Sequence, residues 1–260
     1  MAILIDPPLF EAHGRRWSHL VSDTDLEELH AFARGCGLPA RGFEGDHYDV
    51  PEERYAAVVA AGARPTDVRT LLRALVASGL RLPKRRGDTG VARVPDVHLP
   101  DGTVADIDLV RSGREVEPRR TFAAMAFVRD AAGDHVVVHS VRRDQWGPPG
   151  GWREAGESVR ENAVRELREE TGLVVAPETL VPVGYERFRV TATGPLWRPG
   201  QDLLQLYAVD LPTVRPAFGE RLDGVDGCRW VSWAELEALC AGEFYWPILA
   251  AVLGPDPAGW

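Results

Sequence analysis

The stretch Gly151-Trp152-Arg153-Glu154-Ala155-Gly156-Glu157-Ser158-Val159-Arg160-Glu161-Asn162-Ala163-Val164-Arg165-Glu166-Leu167-Arg168-Glu169-Glu170-Thr171-Gly172-Leu173 decides how the second half of this 260-residue chain is read. Ser158 followed three residues later by Glu161 is a capping box, so a helix starts at Ser158. Gly172 is its stop, because glycine tolerates the left-handed conformation that ends helices. At 100° per residue, Glu166, Glu169 and Glu170 share one stripe of that helix. Val159, Ala163 and Leu167 form the neighbouring stripe and can bury against a sheet. Three carboxylates on one face repel each other, and a hard divalent cation removes that cost; oxygen-rich sites of this kind suit Mg²⁺ or Mn²⁺. Arg165 lies one turn from both Glu161 and Glu169 and can pair with them.

A solvated acidic helix would account for a loose E-x-x-E-E. It does not account for Gly151, Glu157, Arg165 and Gly172 standing in register with it. Written out, the stretch is G-x5-E-x7-R-E-U-x-E-E-x-G-U with U apolar, and every position is filled. Such a pattern arises by chance on the order of 10^-7 times per chain. It resembles the signature of the Nudix hydrolases, enzymes that cleave diphosphates linked to another moiety. The resemblance covers residues 118 to 253 and implies an α/β fold, an α/β/α sandwich with a mixed sheet. It implies a metal-dependent hydrolase with Mg²⁺ or Mn²⁺ as cofactor and a small-molecule diphosphate as substrate. Glu169 and Glu170 are then the principal metal ligands, Glu166 is a third ligand or the water-activating base, and the Gly150 carbonyl adds an oxygen. Arg165 joins Glu166 and Glu169 in the catalytic group, and Glu157 and Gly151 shape the loop behind the ligands. The resemblance leaves a second function open, a Nudix-like ligand-sensing or regulatory module, and a third, an accessory to an enzymatic N-terminal domain.

The general base is less defined. Glu220, Asp223 and Asp226 precede a strand at Arg229-Trp230-Val231, but Asp223-Gly224 and Asp226-Gly227 also read as turns, the reading favoured here. For substrate, Arg142 and Arg187 could meet phosphates and Trp146 could stack on a base. Each also fits a plainer role, surface solvation for the arginines and core packing for the tryptophan.

Composition bounds the rest. Net charge is −9 with a pI near 5.3, which disfavours nonspecific nucleic-acid binding. Hydrophobic content of 45% is ordinary for a globular protein. No run approaches the length of a membrane span. The opening Met-Ala-Ile-Leu-Ile-Asp is too short and uncharged for a signal peptide. Cys36, Cys228 and Cys240 form no close pair, so a reduced cytoplasmic setting is expected.

Residues 1–86 read as a small α/β domain. Ala2 to Ile5 is a strand candidate, and Ala40 to Phe43 another. Asp25 to Ala33, Pro51 to Ala61 and Thr66 to Ser78 have helical spacing. Residues 87–117 are a linker or hairpin. Beyond it the expected order is a hairpin from Thr121 to His139, the glutamate helix, strands at Leu180–Tyr185, Leu203–Val209 and Cys228–Val231, then helices from Ser232 to Leu239 and from Tyr245 to Leu253. The first domain also holds Trp17-Ser18-His19-Leu20, Glu28-Leu29-His30 and Asp46-His47-Tyr48-Asp49. These resemble an uncharacterised family of domains that carries no assigned activity. His19, His30, His47 and Asp49 could form a second site, binding metal or relaying protons; histidines packed into a fold are the commoner outcome.

Overall fold

A computed structural model describes residues 2–221 and 225–254. The chain divides into two compact units, Met1–Arg93 and Val94–Trp260.

The first unit contains β1 (Ile3–Ile5), β2 (Phe10–Ala12), β3 (Arg15–Ser22), α1 (Leu26–Gly35), β4 (Tyr48–Pro51), α2 (Glu52–Ala60), β5 (Arg64–Pro65) and α3 (Val68–Ala77). Its sheet has the order β2-β3-β1-β5, and β4 pairs with β3. Strand alternation assigns the two faces. Ile3, Ile5 and Leu20 pack under α1 and α2 with Leu29, Ala33 and Val58. Val21, on the opposite face, meets Leu71 and Leu75 of α3. Asp25 and Asp67 cap α1 and α3 by accepting from the backbone N–H groups of Glu28 and Thr70.

One feature of this unit departs from the sequence expectation. Ala40 to Phe43 is not a strand; Ala40–Gly42 forms a 3-10 turn in which the Gly42 and Phe43 amides donate to the carbonyls of Pro39 and Ala40. Those local bonds occupy the backbone groups that a strand would offer to a neighbour. Trp17 to Leu20, the motif singled out in the sequence, forms the middle of the eight-residue β3. Tertiary pairing on both edges, with β1 and β4, stabilises a strand whose arginine-rich start hides its alternation.

The second sheet is built from β6 (Thr89–His98), β7 (Val104–Arg111), β8 (Thr121–Arg129), β9 (His135–Ser140), β10 (Gln145–Gly147), β11 (Gly150–Trp152), β12 (Val181–Ala192), β13 (Leu203–Asp210) and β14 (Val225–Val231). Its order is β10-β9-β8-β13-β12-β7-β6, with β11 on β8 and β14 on β9. β8 and β13 run parallel, and the other recorded pairings of this sheet are antiparallel. The sheet is therefore mixed. β12 continues well past Tyr185, because β7 pairs with it as far as Ala192.

Helix α4 (Val159–Thr171) covers one face. Val159, Ala163 and Leu167 bury against Ala124, Ala126 and Val128 of β8 and Tyr207 and Val209 of β13. The intervening Phe127 points to the other face, where it lines a gap with Leu236 of α5 (Trp233–Cys240) and Leu249 of α6 (Trp246–Leu253). The result is an α/β/α sandwich. Gly172 closes α4 at φ +71°, and a Cβ there would collide with the backbone of Gly219. No helix among the described residues is long and apolar enough to cross a membrane.

Leu167 is fully buried between helix and sheet. Leu167→Ala should destabilise the second unit by about 2–5 kcal/mol through lost transfer energy and the cavity left behind. The measurement is the shift of its chemical-denaturation midpoint; a change below about 1 kcal/mol would mean that α4 is not anchored there.

Candidate active site

The site begins at a hydrogen bond between sheet and helix. β11 pairs with β8 and leads through a short loop into the capping box, in which Ser158 Oγ accepts from the Glu161 amide and the Glu161 carboxylate accepts from the Ser158 amide. The Gly150 N–H donates to Glu170 Oε2 at 2.9 Å. A Cβ on Gly151 would stand 2.5 Å from the Glu166 carboxylate, so only glycine lets that loop approach the helix.

Arg165 organises what lies around it. Its Nε donates to Glu157 Oε1 at 2.6 Å, and its Nη1 donates to Glu166 Oε1 at 2.9 Å and to Glu169 Oε2 at 2.8 Å. Nη2 donates to the Trp152 carbonyl at 2.9 Å. Glu161, the other partner that helical spacing offered, is not engaged. Its carboxylate is spent on the helix cap, which leaves the upstream side of Arg165 to Glu157. Glu157 also accepts from the Glu154 amide, so it ties the guanidinium to the loop.

The carboxylates are under electrostatic stress. Burial pushes Glu170 up to about 7, against the pull of the Gly150 hydrogen bond. Burial also raises Glu166, opposed by the Arg165 charge. Desolvation disfavours an isolated anion, and a cation placed among these oxygens restores it. The donor set of three carboxylates beside a glycine turn fits a hard divalent ion.

The remaining sequence candidates fall in several places. Arg142 is exposed in the turn before β10. The Trp146 ring lies 4.1 Å from the Arg229 guanidinium and against His139. Arg187 is paired across the strands with buried Asp108 at 2.8 Å. Asp226 holds His139 Nδ1 at 2.6 Å, Glu220 is exposed, and Asp223 lies outside the described residues. In the first unit, His19, His47 and Asp49 come together. His30 does not join them. It bonds the Tyr48 hydroxyl at 2.8 Å and packs on Phe43.

One residue escaped the sequence reading. Glu186 of β12 is fully buried, and neither carboxylate oxygen has a partner among the described residues. Burial pushes it up to about 8, with Arg143 pulling the other way. The alternation Gly184-Glu186-Phe188, flanked by buried neighbours, was the available signal.

A family model described as NUDIX domain matches residues 119–252. The chain belongs to the Nudix family. A second model, described as a protein of unknown function (DUF4031), matches residues 3–78. Among relatives of the Nudix domain, the uncharacterized Nudix hydrolase YvcI of Bacillus subtilis is 48% identical over 40 residues, covering 15% of this chain and 25% of that protein. Phosphatase NudJ of Escherichia coli K12 is 32% identical over 114 residues, covering 43% of this chain and 69% of NudJ. The chain thus spans a quarter of the first relative and just over two thirds of the second. Among solved structures, a bifunctional NMN adenylyltransferase/ADP ribose pyrophosphatase from Francisella tularensis, complexed with AMP and a manganese ion, aligns at 17% identity and a TM-score of 0.38, covering 52% of this chain and 42% of that one.

Two variants test this geometry. Gly151→Ala should displace Glu166, lowering turnover at least about tenfold while thermal stability changes little, since the new methyl meets a side chain at the site's edge; undiminished turnover would show that Glu166 is not held by this contact. Glu186→Gln tests the buried acid. A carboxyl whose folded pKa is raised favours the fold below its unfolded pKa, and that contribution is lost as pH rises toward about 8. Metal-free Glu186→Gln should therefore gain melting temperature over the parent at pH 8.5 and not at pH 4. A constant difference at both pH values would show that Glu186 ionises freely.

Proposed function

We propose that the Nudix domain is a metal-dependent pyrophosphohydrolase that cleaves the diphosphate linkage of a nucleoside diphosphate derivative or related small molecule. The observation that carries this reading is the Arg165 fork, which gathers Glu157, Glu166 and Glu169 beside the buried Glu170. Glu169 and Glu170, with Glu166 and the Gly150 carbonyl, would hold Mg²⁺ or Mn²⁺. When bound, such ions neutralise the diphosphate and lower the pKa of an attacking water.

The residues of the chain supply position. Glu166 is available either as a ligand or to take the proton from water. Arg165 keeps the two helix carboxylates it touches, Glu166 and Glu169, at one spacing, with a planar fork that lysine cannot reproduce. Glu157 fixes the fork from the loop side and has its own pKa held low, burial notwithstanding, by the bond to Arg165. Arg142 is exposed and open to phosphate oxygens, whereas the Trp146 ring is taken up by Arg229 and His139. The intact glutamate set favours catalysis over a purely ligand-sensing role. We assign residues 118–253 to this domain, 1–86 to the small α/β domain and 87–117 to the hairpin extension between them. Free thiols at Cys36, Cys228 and Cys240 support a reducing, cytoplasmic setting.

Glu170→Gln removes a charge at nearly constant volume. Turnover on diphosphate compounds with Mg²⁺ or Mn²⁺ should fall by about 10²-fold or more, with the circular-dichroism spectrum and melting temperature preserved. The assay is phosphate and product release across a panel of nucleoside diphosphate derivatives. Metal-dependent turnover surviving intact in this variant would overturn the assignment.

A further inference from the structure

We propose that the N-terminal unit carries a divalent-metal site of its own, made by Nε2 of His19, Nε2 of His47 and the carboxylate of Asp49, and open to an anionic ligand.

The three side chains converge because of sheet register. His19 of β3 stands directly opposite Asp49 of β4. His47 precedes the same strand, and its ring centroid lies 5.0 Å from that of His19. One ligand atom from each of the three residues lies within 4.8 Å of the other two, and among the described residues this is the one group of three histidine, cysteine or acidic side chains to do so. Metal-bound ligand atoms in a tetrahedral shell stand about 3–3.5 Å apart at bond lengths near 2 Å, so small rotations complete the convergence.

The orientation of the two imidazoles carries the argument further. His19 Nδ1 bonds Asp6 Oδ2 at 2.9 Å, and Asp6 also accepts from the His19 amide at 2.5 Å. His47 Nδ1 bonds Asp46 Oδ1 at 2.5 Å, and Asp46 is anchored in turn by the Leu82 amide and by Arg81. Asp6 and Asp46 are both fully buried. Each histidine is thus held through Nδ1 by an inaccessible carboxylate. The ring orientation is set, with Nε2 outward; His47 Nε2 lies 3.4 Å from Asp49 Oδ1, and a metal ion entering there would displace the proton that this pair holds. A carboxylate behind each ligating histidine is the arrangement that fixes ring orientation in metal sites. Packing histidines have no need of a buried anion aimed at the inner nitrogen of each ring.

The surroundings indicate what such a site would take. His19 and Asp49 line an open cleft of about 690 Å³. Its walls include Trp17, Arg41, Arg54 and Arg15, the last paired with Glu53, together with Glu44, whose carboxylate is paired with Lys84. Two neutral imidazoles and one carboxylate leave a bound divalent ion with net positive charge. Three protein ligands leave coordination positions open, as in sites that bind or activate a further ligand. A positive ion in a cleft that Arg41 and Arg54 also line selects an anion with oxygen donors, a phosphate or carboxylate compound.

The test uses the full chain, stripped of metal by chelation. Zn²⁺ binding is followed by calorimetry, and Co²⁺ binding by its visible ligand-field bands, which report nitrogen ligation and low coordination number. We expect one Zn²⁺ per chain that survives Glu170→Gln, so that it is separable from the Nudix site. His19→Ala, Asp49→Asn and His47→Ala should each weaken it by about 100-fold or more. Asp6→Asn, which leaves all three ligands in place, should weaken it by about 10–100-fold. Diphosphate hydrolysis should be unchanged in His19→Ala. His19 and Asp49 are partly exposed, at 25% and 38% of their side chains, so these two variants decide the matter should His47→Ala not fold. Equal Zn²⁺ affinity in the parent and in folded His19→Ala or Asp49→Asn would overturn the proposal, as would binding abolished by Glu170→Gln alone. Inorganic phosphate should shift the Co²⁺ bands of the parent, and bands indifferent to phosphate would overturn the anion-binding part.

Discussion

The guanidinium of Arg165 is the contact on which the arrangement of the second unit depends. Four different groups share its donors: two glutamates of its own helix, one glutamate of the preceding loop and one carbonyl of β11. A single planar cation thereby ties helix, loop and sheet together at the point where carboxylates crowd. The surrounding anions raise its own pKa further, so it stays charged under all accessible conditions. Without it, Glu157, Glu166 and Glu169 would repel one another, and Glu157 would lose its tie to the helix.

Packing sets the depth at which this happens. Val159, Ala163 and Leu167 dock α4 on the sheet, and that docking carries the adjacent glutamate stripe partly out of water. The same burial that stabilises the helix raises Glu166 and Glu170. That cost in carboxylate ionisation is one a bound cation would relieve. Glycine at 151 is part of the same constraint, because any side chain there would push Glu166 away. Glu186 extends the pattern to β12: a buried acid that favours its neutral form because, among the described residues, neither of its oxygens has a hydrogen-bond partner.

In the first unit the organising constraint is register. The antiparallel β3–β4 pair sets His19 opposite Asp49. The burial of Asp6 and Asp46 aims two imidazoles the same way. In His47 the hydrogen bonds to Asp46 and Asp49 outweigh the burial that favours the neutral ring, and the pKa rises to about 9. His30, only eleven residues after His19, goes elsewhere because α1 turns its ring toward Phe43 and Tyr48.

What the sequence by itself determined was local and periodic. The extent of α4, its capping box, its glycine stop and the split between a buried stripe and an acidic stripe all follow from spacing at 3.6 residues per turn, and the structure reproduces each. The Nudix family was legible in the same residues. Contacts that join distant segments were decided only by the tertiary structure. Spacing offered Arg165 the nearby Glu161, but the helix cap took that carboxylate and the loop supplied Glu157 instead. Charge made Arg187 a phosphate candidate, but strand pairing placed Asp108 beside it. Four N-terminal residues looked alike as ligands, and register gathered three of them. Helix periodicity is encoded within a few turns of chain, whereas strand register and side-chain competition depend on partners tens of residues away that no local pattern names.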